Sequence, residues 1–398
     1  MAQAIQLTER QRAILAGGEG KAAATAMEIL LALGRIFGAE RFAAVASAQI
    51  SGVSYRNLSD AGLEFLETLA ADGRVAVPSM LNPAGMDLVD WRLMGIDEAF
   101  ARKQQSVIEA FVKMGVIPTC TCTPYLAGHA PRFGEILAWG ESSAVTYVNS
   151  VIGARSNREG GPAALAAAII GEVPLYGLHL DEHRRPQVTV DLRAALRSAA
   201  DYGALGAALG GLAGGKIPLL RSAFEPWRPG LRALSASLPT YSGVSLFHWE
   251  GFTPEWGQWP APAEEILIEA SDIASALARW GGGSPADLIF VGCPHLGIEE
   301  IDHIAQRLKG KKISTPLWMC TSRDVAREAR DRGLLEPIRA AGGKVVCDTC
   351  LVVAPLPENV RSVMTDSAKG CYYLSGAHGI EVCMASLDDC LERAVAGP

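Results

Sequence analysis

Three features are missing from this 398-residue sequence, and each absence excludes a class of protein. No apolar run reaches the ~18 residues needed to cross a bilayer. The N-terminal segment MAQAIQLTERQRAILAGGEGK has no continuous apolar stretch typical of a signal peptide. Lysine and arginine form no basic stripe, and the net charge is −7, which disfavours nucleic acid as a partner. We therefore expect a cytoplasmic protein that associates with neither membranes nor nucleic acids.

The cysteines also lack a familiar pattern. The chain has nine of them, an odd count without a secretory signal, which disfavours disulfides. No tight C-x₂-C-x₂-C run occurs. The thiols are therefore either buried in the core, as free cysteines usually are, or bound to a metal.

Segments typical of strands and helices alternate along the chain, which predicts an α/β protein with mainly parallel sheets. The C-terminal third shows this most clearly, since ADLIFVGC and TPLWMC each precede a helical segment, and it predicts a doubly wound sheet. We place a boundary near 270–285, giving a region 1–280, with a further split near 118–130, and a C-terminal subdomain 281–398. The glycine-rich residues 210–230 indicate an internal linker.

Three cysteines are predicted to follow strands: Cys122, Cys293 and Cys350. Binding sites in open α/β sheets form at these carboxyl ends. Three thiolates from three separate loops suit an iron–sulfur cluster, although the spacing alone also fits core cysteines. The segment VIPTCTCTPYL is predicted to be a short buried strand, so Cys120 and Cys122 would point to the same side, with Cys122 nearer the strand end.

Zinc is the alternative metal. His129, His179, His183, His248 and His295 could join the cysteines as ligands. The segment HLDEH places His179 and His183 four residues apart, but VPLYGLHL is predicted to be a strand, so the helical geometry of a zinc-binding H-E-x-x-H motif is not expected. His179 is better interpreted as a polar site residue.

The block NSVIGARSNREGGPAALAAAII (149–170) begins a helix at its Gly-Gly-Pro. Arg155, Asn157 and Arg158 come just before that helix. Free amides at a helix N-terminus together with arginines suit a substrate carboxylate or phosphate, and a capped helix with surface arginines is the alternative. Other polar groups lie in ASAQISG (46–52), LFHWEGFTPEW (246–256) and TDSAKG (365–370).

Taken together and in order, these segments resemble the catalytic large subunit of aconitase X. The matching stretches include ISGVSY, VPSMLNPAGMD, TCTPYL, the long block from WGESSAVTY to AAAIIG, VPLYGLH, GCPHLGIEE, CDTC and DSAKG. The resemblance implies an aconitase-like fold, with several three-layer α/β subdomains around a central iron–sulfur site. It also implies a hydro-lyase whose cluster is held by Cys122, Cys293 and Cys350, with its nuclearity (4Fe-4S, 3Fe-4S or 2Fe-2S) left open.

Within the matching segments we predict two further sets of residues. The predicted catalytic residues are Lys369, Ser367 and His248. The predicted substrate-binding residues are Ser47, Ser51, Gly52, Asn149, Ser150, Arg155, Asn157, Glu159 and His179.

The resemblance implies a small hydroxy acid as substrate. One activity of the family dehydrates cis-3-hydroxy-L-proline to pyrroline-2-carboxylate, and another dehydrates mevalonate 5-phosphate. The Ala-, Gly- and Arg-rich composition favours the first. The resemblance also implies a separate small swivelling subunit that supplies a catalytic serine. A zinc-dependent hydrolase and a non-catalytic binding subunit are the alternatives of another class.

Overall fold

The computed structural model describes residues 5–281 and 286–396. The α-helices are α1 (Glu9–Leu15), α2 (Lys21–Ile36), α3 (Tyr55–Leu69), α4 (Glu98–Lys113), α5 (Ser142–Tyr147), α6 (Gly161–Ile170), α7 (Ala199–Leu212), α8 (Arg228–Ser242), α9 (Ala270–Ala278), α10 (Ile298–Leu308), α11 (Arg323–Asp331), α12 (Leu335–Ala341), α13 (Ala368–His378) and α14 (Leu387–Ala396). The strands are β1 (Phe42–Ala44), β2 (Ser47–Ile50), β3 (Ser79–Leu81), β4 (Leu137–Trp139), β5 (Glu172–Pro174), β6 (Val188–Leu192), β7 (Pro218–Ser222), β8 (His248–Trp249), β9 (Glu265–Ile268), β10 (Leu288–Leu296), β11 (Leu317–Thr321), β12 (Lys344–Cys347), β13 (Ser362–Thr365) and β14 (Glu381–Met384).

Three parallel sheets organise the chain. Their strand orders are β3-β2-β4, β8-β7-β6-β9 and β12-β11-β10-β13-β14, and a small antiparallel pair joins β1 to β5. Each sheet places its first strand in the interior and adds later strands on both sides. A parallel sheet wound in this way has a crevice at the carboxyl ends, where the winding direction reverses. The predicted α/β class with largely parallel sheets is confirmed.

The third sheet has the predicted doubly wound order, and its reversal point lies between β10 and β13. Strand β10 is apolar on both faces because helices cover both sides of the sheet. Ile289 and Val291 pack into one core, while Leu288 and Phe290 pack into another on the opposite face. Cys293 lies in the register shift of β10, between the paired residues Val291 and Leu296, and Ser367 follows β13, so both lie at the reversal point.

Three local predictions are wrong. Residues 210–230 are not a linker, since they contain the end of α7, strand β7 and the start of α8. Segment 116–126 is not a strand either, because its ladder pairing is a single bridge between Ile117 and Met80, and residues 118–123 are irregular. Likewise the strand predicted over VPLYGLHL is limited to β5, and short 3₁₀ turns follow it.

The division of the chain at 280 and near 118–130 stays a prediction. Residues 282–285 of the predicted boundary lie outside the described residues. Separate apolar cores surround the first and second sheets. Among the helices in the described ranges, none has the length and apolar character needed to cross a membrane.

Candidate active site

Three turns bring Cys122, Cys293 and Cys350 to the carboxyl edges of the sheets. Each turn contains a residue in the left-handed backbone region one or two positions before its cysteine: Cys120 (φ 43°), Gly292 (φ 103°) and Asp348 (φ 63°). At Gly292 a side chain is excluded twice, because φ is positive and a Cβ would collide with the carbonyl oxygen of Cys320. A left-handed residue interrupts the regular extended backbone just before each cysteine.

The three thiols lie close to one another, with Cys122 and Cys350 buried and Cys293 partly buried. Burial raises the pKa of the Cys122 thiol well above its ordinary range, and Glu141 and the thiols of Cys350 and Cys293 raise it further. Burial and the Cys293 thiol raise the pKa of Cys350 to about 12. Burial also raises the pKa of Cys293, against the opposing effects of Lys369 and a hydrogen bond with Ser367. Such thiols stay protonated at neutral pH unless a metal cation binds them.

Cys120 does not point the same way as Cys122, so the argument from an extended strand is wrong. The left-handed conformation at Cys120 breaks the alternation on which that argument depended. Cys120 is fully buried in the core of the first sheet. Burial raises the pKa of Cys120. The charged groups that act on it are Asp348 and Arg323, not the thiols of the three candidate ligands.

A buried ion pair joins Lys369 to Glu141 beside the cysteines, and each side chain is 11% exposed. Burial opposes the ionisation of Glu141, but Lys369 and a 2.7 Å hydrogen bond from Asn82 Nδ2 lower its pKa to about 2. Burial likewise opposes the charge of Lys369, but Glu141 and the Cys293 thiol raise the pKa of Lys369 above its ordinary value. Both groups are therefore charged at neutral pH.

Ser367 lies between Lys369 and Cys293. Its hydroxyl oxygen accepts a hydrogen bond from the backbone N–H of Gly370 at 2.9 Å and so caps α13. The same side chain hydrogen-bonds with Cys293. The predicted catalytic residues Ser367 and Lys369 thus lie with the predicted ligand Cys293.

Other predicted site residues form a second group around Glu255. The buried Arg184 donates to Glu255 Oε2 at 2.6 Å, and Arg155 pairs with Glu255 and with Asp181. The side chain of Asn157 bonds the loop at 176–179, including Nδ1 of His179 at 3.2 Å.

The polar groups of this second group are bonded within the protein. Asn149 donates to the carbonyls of Ser156 and Ser245, and Ser150 accepts from the N–H of Phe247 at 2.9 Å. His248 Nε2 donates to the carbonyl of Arg184 at 2.8 Å. Burial lowers the pKa of His179 to about 4, so its ring is neutral. This geometry gives the group a role in holding the segment 149–157 in place.

Segment 155–159 runs alongside β4, so the two ends of the segment lie at opposite ends of that strand. Arg155 pairs with Ile136 at the start of β4, whereas the N–H of Glu159 donates to the carbonyl of Trp139 at its end. Four extended residues span ~13 Å. Glu159 therefore lies at the same edge as Glu141, and Arg155 lies at the opposite end.

Ser51 and Gly52 also lie at this edge, beside the start of α6. A Cβ at Gly140 would meet both Ser51 Oγ and the carbonyl oxygen of Glu159, so these three residues are adjacent. Burial raises the pKa of Glu159 to about 7, against the effect of a hydrogen bond with Tyr176. Ser47, at the start of β2, accepts from Trp139 Nε1 at 3.0 Å.

Several buried polar atoms around the site have no hydrogen-bond partner. They are Gln49 Oε1, Asn82 Oδ1, Tyr125 OH, Glu159 Oε1 and Thr349 Oγ1. Buried polar groups are nearly always paired, so unpaired ones mark places where a ligand or water binds. Thr349 precedes Cys350, and Asn82 holds Glu141.

Glu141, Asn82 and His295 are site residues whose roles the sequence analysis missed. Glu141 follows β4 directly, so the rule that placed the cysteines at strand ends could have found it. Asn82 follows β3 in the same way. His295 is fully buried, and burial lowers its pKa to about 4. In the described part of the chain, no group of three or more His, Cys, Asp or Glu side chains is arranged to hold a metal ion.

Comparisons with known proteins identify the family. Aconitase X first, second and third domains match residues 4–182, 186–278 and 286–396. A phosphomevalonate dehydratase large subunit from Methanothermobacter thermautotrophicus is 46% identical over 95% of this chain and 96% of that protein. The chain belongs to the aconitase X family. A cis-3-hydroxy-L-proline dehydratase from Pseudomonas aeruginosa is 35% identical over 97% of this chain and 69% of that protein.

A solved structure agrees with this assignment. The crystal structure of Thermococcus kodakaraensis aconitase X (holo-form) matches with a TM-score of 0.92 and 39% identity, covering 98% of this chain and 100% of that one. The predicted aconitase-like fold is confirmed. The predicted enzyme class, a hydro-lyase of the aconitase X family, is also confirmed, because both curated relatives are dehydratases.

Proposed function

We propose that this chain is the large subunit of a dehydratase that acts on mevalonate 5-phosphate. The support is its higher identity to a phosphomevalonate dehydratase large subunit, 46%, than to a cis-3-hydroxy-L-proline dehydratase, 35%. That difference is a more direct guide to the substrate than composition, which favoured cis-3-hydroxy-L-proline. The proline derivative stays the second candidate, since one relative of the chain acts on it.

We further propose that Cys122, Cys293 and Cys350 hold an iron–sulfur cluster. The observation that carries this proposal is the meeting of two buried thiols and one partly buried thiol, each preceded by a residue in the left-handed backbone region, beside a charged Lys369–Glu141 pair. Thiolates are the ligands of such clusters, and each binds a different iron, so they stand farther apart than the ligands of a single ion. The unpaired Thr349 hydroxyl beside Cys350 also supports the binding of a group at this place. When bound, the cluster would supply a Lewis acid for the leaving hydroxyl group.

The chain's own residues would orient the substrate and hold protons. A lysine ammonium has three donors; Lys369 gives one to Glu141 and one to Ser142 Oγ, which leaves a third for the substrate. Glu141 keeps that ammonium protonated. The amide N–H of Asn82 donates to Glu141 and holds it in place. The amide oxygen of Asn82 is unpaired and faces the substrate in this proposal.

The anionic end of the substrate would bind at the start of α6. Glu159 lies at the edge of the sheet that carries Glu141, and the exposed Arg158 precedes it. Helix α6 begins with Gly161 and Pro162 and has no side-chain cap; since Pro162 has no N–H and the N–H of Ala164 donates to Gly160, the N–H groups of Gly161 and Ala163 are left for a phosphate or carboxylate. Arg155 and His179 would support this segment from the far end of β4.

A separate small subunit is the proposed partner. The relative's name, "large subunit", supports it. In this proposal the small subunit supplies the catalytic serine, and the large subunit alone has little or no activity. A cytoplasmic location also stays a prediction.

The experiment is anaerobic purification of the chain with and without a co-expressed small subunit. Iron and acid-labile sulfide are quantified, and dehydration of both substrates is assayed. We expect a coloured protein with iron and sulfide, and turnover of mevalonate 5-phosphate by the complex. A colourless protein containing stoichiometric zinc would contradict the cluster. Turnover restricted to cis-3-hydroxy-L-proline would replace the first substrate with the second.

A further inference from the structure

His295 connects the three cysteine turns. It lies two residues after Cys293, on the same turn, and is fully buried. Its backbone N–H donates to Cys122 Sγ at 3.2 Å. Its ring reaches Thr121 Oγ1 at 3.0 Å through Nδ1 and the carbonyl oxygen of Thr349 at 2.9 Å through Nε2. Thr121 and Thr349 are the residues directly before Cys122 and Cys350.

The direction of these hydrogen bonds follows from the partners. A carbonyl oxygen can only accept, so Nε2 carries the proton and donates to Thr349. Nδ1 of the neutral ring then accepts from the Thr121 hydroxyl. The same hydroxyl oxygen accepts from the backbone N–H of Thr123 at 3.1 Å, which fixes its orientation. Both ring nitrogens are therefore used, and neither has a free lone pair for a metal.

We propose that His295 is a positioning residue: its ring sets the distances between the three cysteine turns, and its N–H tunes the sulfur of Cys122. This inference rests on the proposed iron–sulfur function. The turns need such a connection because Cys122 lies in the first aconitase X domain, whereas Cys293 and Cys350 lie in the third. It also gives His295 a role other than the zinc ligand considered from the sequence.

The N–H···S hydrogen bond predicts a measurable electronic effect. Hydrogen bonds to cluster sulfurs are among the factors that set the reduction potential. A donor stabilises the reduced cluster more than the oxidised one, because the reduced form carries more negative charge. Losing the ring contacts frees the backbone at His295 and weakens this bond. The potential should then become more negative.

The test uses Thr121, because two substitutions there separate the hydroxyl from the packing. Thr121→Val keeps the shape and removes the hydroxyl, whereas Thr121→Ser keeps the hydroxyl and removes a methyl group. Each variant is purified anaerobically as the complex with its small subunit. Iron loss to a chelator is timed, the midpoint potential is measured, and the melting temperature of the cluster-free protein is recorded.

We expect Thr121→Val to lose iron roughly tenfold faster than the wild type, as follows from one buried hydrogen bond left unmade, and to have a more negative potential. Thr121→Ser should resemble the wild type in both. Wild-type retention and potential in Thr121→Val would overturn the inference. If Thr121→Val fails to fold, Thr121→Ala and Thr121→Ser form the second pair, since both lack the methyl group. A wild type without a cluster would refute the proposed function instead.

Discussion

Replacing Lys369 with methionine removes one charge of a buried pair and leaves Glu141 without its counter-ion. Both side chains are 11% exposed, and breaking such a pair typically costs 3–5 kcal/mol. The pKa of Glu141 gives a similar figure: lowering it from 4.5 to about 2 corresponds to about 3 kcal/mol at neutral pH. In a unit of 150–250 residues, such as the first domain, this lowers Tm by roughly 6–12 °C.

A double-mutant cycle separates stability from catalysis. In Glu141→Gln/Lys369→Met no charge is left unpaired, and the glutamine oxygen can still accept from Asn82. We expect its Tm to return to within a few degrees of the wild type while dehydratase activity stays lost, because the ammonium proposed to bind the substrate is gone. Calorimetry of the anaerobic complex and the dehydration assay provide the two readouts.

The matched control is Lys103→Met, which breaks the 2.8 Å pair with Asp60 on the surface. Both partners are largely exposed, so we expect no measurable change in Tm and full activity. If Lys369→Met has the same Tm as the wild type, the role of this ammonium as the counter-ion of Glu141 is refuted. Activity in the double variant would refute its role at the substrate.

Three further predictions concern single residues. Glu159 has a raised pKa of about 7, so the native state holds its proton more tightly and stability should fall as pH rises from about 4.5 to 7; Glu159→Gln should remove that part of the pH dependence in thermal melts. Cys122→Ser should lose the iron and sulfide, whereas Cys120→Ser should retain them, and the reverse result would mean that the ligands are misassigned. Arg158→Ala should raise KM about tenfold or more with little change in kcat, as expected for one lost charge-assisted contact, while Arg327→Ala on the exposed face of α11 should not.

The C-terminal sheet was predictable from the sequence because its signals are local. Each apolar strand, and the helix after it, can be recognised from residues that are neighbours in the sequence. The positions of Cys293 and Lys369 then follow from the strand ends. The same rule selected Cys350, whereas it selected Cys122 from a strand that does not form, since residues 118–123 are irregular. Their relative placement was not predictable, since it depends on contacts such as that between Lys369 and Glu141, 228 residues apart.

The orientation of Cys120 failed for a different reason. A left-handed residue in the middle of an apolar segment leaves no trace in the alternation of polar and apolar side chains. The network around His295 was hidden in the same way, because its partner Thr121 is 174 residues away. The block 149–170 was recognised as a unit, but its bonds to Arg184 and Glu255 became evident only from the tertiary structure.

The three cysteine turns come from different parts of the chain, so they are synthesised at different times. More than half of the chain separates Cys122 from Cys350, so the ribosome has made most of the protein before the third thiol exists. The first domain can fold earlier, because its sheet closes among residues 47–139. Cys122 is then in place before the turn that carries Cys350 has been made. Delivery of iron and sulfide should therefore follow translation, and a pulse of newly made full-length chain should pass through a cluster-free folded state.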